Sequence, residues 1–153
     1  DLMRMLPQIV LESAQGGGIV GYPLMHVKLT IRRVDYKEGE TTELALRAAC
    51  SHAVQNVLNK AEIALLEPVM KLEVVTPAEF LGNIQADLAS RHAHILGSEP
   101  RGHLTALAAE APLANMFGYS THARSLSQGR ASYSMEPLKY DFAPPAVLKE
   151  MLG

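Results

Sequence analysis

The chain has 153 residues, of which 48% are apolar and 20% charged, with a net charge of −2. That length suits one ordinary domain or two small ones. The composition excludes a disordered or fibrous chain, and no window approaches the roughly 18 consecutive apolar residues of a membrane span. Residues 1–67 carry seven Lys/Arg and eight Asp/Glu, and residues 68–153 carry the same numbers. Neither half has the basic excess of a nonspecific nucleic-acid binder, so any RNA contact must rest on a few placed arginines.

In chain order, Leu2, Met5, Leu6, Ile9 and Val10 fall at helical spacing and predict a helix over the first twelve residues, weakened in its middle by Pro7. The order of residues is not that of a signal peptide. Gln15 to Gly18 reads Q-G-G-G. No Gly-Lys-Ser/Thr follows, so the Walker chemistry lacks its lysine and its magnesium-binding hydroxyl, and a helix-to-strand turn is the expectation. From Leu24 to Arg33 the pattern alternates, with Met25, Val27, Leu29 and Ile31 on one side and His26, Lys28, Thr30 and Arg32 on the other, which predicts a strand with one wet face.

A polar loop, D-Y-K-E-G-E-T-T-E (35–43), leads into a helix expected from about Thr42 to Lys60. Its predicted buried stripe is Leu46, Cys50, Ala53, Val57 and Ala61, widened by Val54 and Leu58. Cys50 on that stripe reads as a small core residue. A single cysteine allows no internal disulfide and fits a reducing, cytoplasmic setting.

The rest is the best organised part. V-M-K-L-E-V-V (69–75) alternates as a strand. Thr76, Pro77 and Glu79 have the spacing of a capping box that opens a helix to about Arg91, burying Phe80, Ile84 and Leu88. Strands near 94–97 and 103–110 follow, joined by the turn sequence S-E-P-R-G. Pro112 opens a helix ending before Gly129, on which Phe117 and Tyr119 read as core residues, stacking on bases being the alternative, and a last strand spans 131–140. The order β-α-β-β-α-β predicts an α+β, ferredoxin-like sandwich: a four-stranded antiparallel sheet with both helices on one face. That topology names no function. His92 and His94 lack a third ligand at a recognised spacing. No nucleophile elbow and no patterned carboxylate pair occurs, so the chain reads as a binding body without catalytic, cofactor or metal residues.

Particular words in the sequence carry a resemblance. L-L-E-P-V-M-K-L-E-V-V-T-P (65–77) and A-P-L-A-N-M-F-G-Y-S-T-H-A-R-S-L-S-Q-G-R-A-S-Y-S-M-E-P-L-K-Y (111–140) closely resemble the last domain of elongation factor G, the ribosomal translocation GTPase. G-Y-P-L-M-H-V-K-L (21–29) resembles its preceding domain. The resemblance covers roughly residues 20–142. It implies that residues 1–67 are the C-terminal part of a fourth domain and 68–153 a ferredoxin-like fifth domain with a short tail. GTP, magnesium and GTP hydrolysis would belong to a GTPase domain that this chain lacks.

The same resemblance makes residues 35–43 the tip that enters the decoding region beside A-site tRNA. Tyr36, Lys37 and Glu38 would be its contacts, and Lys37 stands where the family has histidine. A lysine keeps a point charge for phosphate but loses the imidazole's stacking and acceptor capacity. In the fifth domain Arg91, Arg101, Arg124 and Arg130 would contact ribosomal RNA near the stalk base and the sarcin–ricin loop, Arg91 and Arg101 foremost. The alternative for Arg124 and Arg130 is carboxylate pairing or helix capping. The expected partner is the ribosome, met by a monomer without membrane attachment. Two rivals stay open: a paralogue specialised for ribosome recycling, motivated by Lys37, and a free-standing ferredoxin-like regulatory or small-ligand module, which would need a polar-lined pocket.

Overall fold

The computed structural model describes residues 2–16, 18 and 20–153, whose contacts divide into two units, Asp1–Ala64 with Pro145–Gly153, and Leu65–Pro144. The expected division at 67/68 differs from this one at both ends. The first sheet strand already starts at Leu66, and the tail 145–153 groups with the first unit.

In the first unit a 3₁₀ turn, Leu2–Met5, runs into α1, Leu6–Gln15. Pro7 occupies the first turn of α1, where its missing N–H is not needed, so it starts the helix instead of weakening one. The alternating stretch 24–33 forms no strand. A strand is completed only by a neighbour's N–H and C=O groups, and none of the described residues pairs with it; Met25, Val27 and Ile31 are all exposed. α2, Glu43–Lys60, buries Leu46, Cys50, Val54 and Leu58, while Val57 is exposed. A strict i, i+4 row therefore replaces the wider stripe expected. Leu46 and Cys50 pack with Leu6 and Ile9 of α1, and Arg47 bridges Glu12 of α1 at 2.6 Å and Glu43 at 2.8 Å. A last helix of this unit, Pro145–Leu152, has no buried residue.

The second unit is the antiparallel sheet β2-β3-β1-β4, with β1 Leu66–Pro77, α3 Ala78–Ser90, β2 His94–Arg101, β3 Leu104–Pro112, α4 Tyr119–Leu126 and β4 Ser132–Phe142. This is the ferredoxin-like arrangement, with β1 and β3 as the two central strands. Alternation decides the faces: Met70, Leu72, Val74 and Thr76 are buried. Leu72 sits opposite Ala109 and Met135, and Val74 opposite Leu107 and Tyr133. Ile84 and Leu88 of α3 and Tyr119 and Ala123 of α4 close the same core. The other sheet face presents Lys71, paired with Glu136 at 3.3 Å, and Glu73.

Local details depart from expectation for identifiable reasons. Thr76 is not a helix cap: strand pairing continues through it to Thr105, so its side chain turns inward, and its hydroxyl has no partner among the described residues. α3 begins after Pro77 with no side-chain cap, and Glu79 instead meets Arg130 at 2.9 Å. The S-E-P-R-G turn is strand up to Arg101, and the chain reverses at Gly102, whose φ of +65° suits glycine.

Candidate functional site

The residues singled out by sequence fall on one loop, which holds Tyr36, Lys37 and Glu38, and on the ends and flanks of elements of the second unit, which hold the four arginines. That loop, residues 35–42, ends at the N-terminus of α2. Lys37 N–H donates to Thr41 Oγ1 at 2.9 Å, and Thr41 N–H donates back to Lys37 O at 2.9 Å. Gly39 takes φ +79°, the left-handed turn this closure requires. Thr42 Oγ1 then caps α2 by accepting from Ala45 N–H at 3.2 Å. The loop is thus locked by its own backbone and two threonines. Tyr36, Lys37 and Glu38 are all exposed on it.

Electrostatically this tip differs from a simple cation. Lys37 Nζ lies 3.3 Å from Glu40 Oε2, and Arg33 lies 2.7 Å from Asp35. Glu38 and Glu43 add further carboxylates, Glu43 engaging Arg47. The lysine charge is met within the loop, and the tip is acidic overall.

A second loop joins β3 to α4. The expectation of one helix from Pro112 fails because Gly118 takes φ +73°. A 3₁₀ turn, Leu113–Asn115, precedes it, and α4 starts after it. Phe117 is therefore outside any helix and 78% exposed, while Tyr119 and Met116 on either side are buried. Phe117 is not a core residue; Tyr119 is. The Tyr119 ring meets Tyr133 edge-on, with centroids 5.2 Å apart. Burial raises its phenol to about 12, with the Asp87 carboxylate adding to the shift, so it stays protonated at neutral pH.

Arg91 holds this loop. Its Nε meets Asp87 Oδ2 at 3.1 Å, and Nη1 donates to Asn115 O at 2.9 Å and Phe117 O at 3.3 Å. Asn115 Nδ2 returns a bond to Arg91 O at 3.0 Å. Its guanidinium also stacks 5.3 Å from the Tyr119 centroid. His122 completes the cluster through Nε2, 3.1 Å from Asp87 Oδ1.

The four arginines thus occupy distinct settings. Arg91 is a largely buried clamp. Arg101, the last residue of β2, is forked onto Glu73 at 2.9 and 2.7 Å and also meets Glu99 at 3.0 Å. The fork holds the Glu73 carboxyl below its ordinary value. Arg130 pairs with Glu79 and lies 4.9 Å over the Phe80 ring. Arg124 is exposed on α4 and has no ion pair among the described residues. No two of these side chains share a partner among the described residues.

The sheet's free face holds a shallow, open depression of about 280 Å³, floored by Gly97, Ala106 and Ala108 between Glu73 and Glu99. Among the described residues, no group of three or more His, Cys, Asp or Glu is placed to hold a metal, and no helix is long and apolar enough to cross a membrane.

Comparison with known proteins decides the family. Residues 64–151 match the family described as elongation factor G C-terminus. The chain belongs to the elongation factor G family. Elongation factor G of Fervidobacterium nodosum is 45% identical over 143 residues, covering 94% of this chain and 21% of the relative. Elongation factor G of Thermotoga neapolitana is 41% identical over 152 residues, covering 99% of this chain and 22% of the relative. A crystal structure from Thermus thermophilus superposes with a TM-score of 0.84 at 31% identity, covering 99% of this chain and 23% of that one. The chain therefore spans about a fifth of the length of the elongation factor G relatives it matches. Both units lie inside the matched region, including the stretch 1–19 for which sequence words alone give only a loose match.

Proposed function

We propose that this chain is the ribosome-binding C-terminal region of an elongation factor G-like translation factor that promotes movement of tRNA and messenger during polypeptide elongation in the cytoplasm. The observation that carries this reading is the 41% identity to an elongation factor G across 99% of the chain, which spans the tip loop and the ferredoxin-like unit together. The locked loop 35–42 supports it physically. A tip that must keep its shape while displacing tRNA gains from closure by its own Lys37–Thr41 bonds, because little conformational entropy remains to be lost on contact. Tyr36, Lys37 and Glu38 are the residues assigned to face the decoding region and A-site tRNA.

GTP and magnesium do not fit the residues present: the glycine run ending at Gly18 is not followed by Lys-Ser/Thr, and the described residues hold no metal-ligating cluster. Hydrolysis would reside in the remainder of a longer factor. In the second unit Arg91, Arg101, Arg124 and Arg130 are the proposed contacts to ribosomal RNA, and of these Arg101, Arg124 and Arg130 are exposed. Arg91, largely buried against Asp87, also shapes the surface by holding the loop that carries Asn115 and Phe117.

The test is single-round translocation by the intact factor with Tyr36, Lys37 and Glu38 all replaced by alanine. Messenger movement is expected to slow at least about tenfold, a barrier increase of about 1.4 kcal/mol, while ribosome-stimulated GTP turnover continues. Unchanged movement would overturn the assignment of the tip.

A further inference from the structure

The tip loop is rich in carboxylates, and one of them is placed to act on its lysine. Residues 33–43 carry four acids, Asp35, Glu38, Glu40 and Glu43, against two cations, Arg33 and Lys37. Arg33 meets Asp35 at 2.7 Å, Lys37 meets Glu40 at 3.3 Å, and Glu43 meets Arg47 of α2 at 2.8 Å. Glu38 is exposed and has no ion pair among the described residues. Both cations of this loop are thus already matched by carboxylates of the same loop.

The Lys37–Glu40 pair follows from the backbone. Gly39, at φ +79°, reverses the chain, and the Lys37 carbonyl accepts from Glu40 N–H at 3.2 Å and from Thr41 N–H at 2.9 Å. Lys37 N–H in turn donates to Thr41 Oγ1 at 2.9 Å. The closed turn puts residue 40 beside residue 37, so the ammonium finds a carboxylate without further ordering of the loop. The two side chains are 77% and 73% exposed, which makes the pair weak and open to competition. A phosphate is a strong competitor, because a lysine meets it as a point charge. An unpaired lysine that meets a phosphate releases a condensed counterion, the main gain of such contacts. Lys37 must first leave Glu40, and the freed carboxylate then takes up a cation. The two exchanges cancel, and the contact loses most of its salt-dependent gain.

We propose that Glu40 is a positioning residue that restrains Lys37: it competes with an RNA phosphate for the ammonium and keeps the tip's contact weak enough to be released after each round. The inference rests on the ribosome-binding reading of the tip and adds the residue that limits its grip. A tip that enters and leaves the same site in every round is served by such restraint, since slow release of the product state limits turnover.

Salt titration of the intact factor's binding to 70S ribosomes, with a non-hydrolysable GTP analogue, tests this. Glu40→Gln keeps the size of the side chain and removes its charge. It is expected to bind up to about 5-fold tighter at low salt, the range of one exposed ion pair. The slope of log K against log salt should steepen by about 0.7–0.9, the value for one added phosphate contact. Repeated-round translocation should slow by a similar factor. Lys37→Gln added to Glu40→Gln should return the slope to that of the parent. If Glu40 only shapes the loop, Glu40→Gln binds no tighter and the slope stays at the parent value. That result, or a steeper slope that Lys37→Gln does not reverse, would overturn the proposal while leaving ribosome binding intact. Failure of the parent factor itself to bind ribosomes would remove the broader reading and this restraint with it.

Discussion

The two units solve the same problem with very different resources. The sheet unit closes one core with Leu72, Val74, Ile84, Leu88, Leu107 and Tyr119 all essentially inaccessible to solvent, and each of its strands has a partner. The first unit packs four buried residues, Leu6, Ile9, Leu46 and Cys50, between α1 and α2, and its extended stretch after Tyr22 has no partner strand among the described residues. The lesson is that an alternating pattern makes a strand only where another strand accepts its hydrogen bonds. β1 and the stretch 24–33 alternate equally well, and only β1 has neighbours on both edges.

The comparison breaks most visibly in core truncations. Leu72→Ala is expected to destabilise the sheet unit by about 4 kcal/mol, because the side chain is enclosed by three strands and two helices. Leu46→Ala, with a thinner wall around it, should cost about 2 kcal/mol. Urea unfolding followed by site-specific probes in each unit measures both, and equal costs would contradict the contrast.

Next in size is Arg91→Ala. It removes a charge-assisted bond and two bonds to carbonyls from a side chain only 18% exposed, an expected loss of about 2–3 kcal/mol. Hydrogen exchange should rise at Asn115–Gly118 before it rises in the sheet. Exchange unchanged in that loop would show that Arg91 is not its clamp.

A smaller effect of opposite sign sharpens the picture of the sheet core. Thr76 is fully buried with an unpartnered hydroxyl, so the isosteric Thr76→Val should stabilise the unit by about 1 kcal/mol. A destabilised variant would mean that the hydroxyl has a partner in solution.

The smallest effect is a pH dependence on the free face. Hydrogen bonds from Arg101 lower the pKa of Glu73 below the ordinary 4.5. A depressed folded-state carboxylate contributes stability that is complete above the unfolded value and fades as pH falls through the lowered one. Exposure keeps the contribution small. Glu73→Gln should flatten the stability profile below about pH 4.5, as thermal melts between about pH 2.5 and 6 will show.

Much of this architecture is readable from the sequence, and the reasons are local. Phe80, Ile84 and Leu88 recur at helical spacing and are all buried on α3. The alternation of 69–75 runs true through β1, and the ferredoxin-like order follows from the two proline-marked strand ends. What escapes is decided by competition between neighbours. Thr76 has the spacing of a cap, but strand pairing extends past it. Phe117 has the neighbours of a helix, but Gly118 turns the chain left-handed one residue later. The Q-G-G-G turn falls partly outside the described residues.

The arginines show the same limit. Arg91 and Arg101 look like free cations in a sequence, because their partners Asp87 and Glu73 come into range through helix spacing and strand register. Arg91 also binds loop carbonyls 24 and 26 residues away, which no spacing pattern reveals. Family words supply the tip loop's role, whereas its Lys37–Glu40 pair depends on how the loop closes at Gly39.

The most direct test of the central claim is an electron cryomicroscopy structure of the intact factor on a ribosome caught during translocation. The account predicts Tyr36, Lys37 and Glu38 in contact with A-site tRNA or the decoding region. A tip lying in solvent, away from tRNA and messenger, would contradict it.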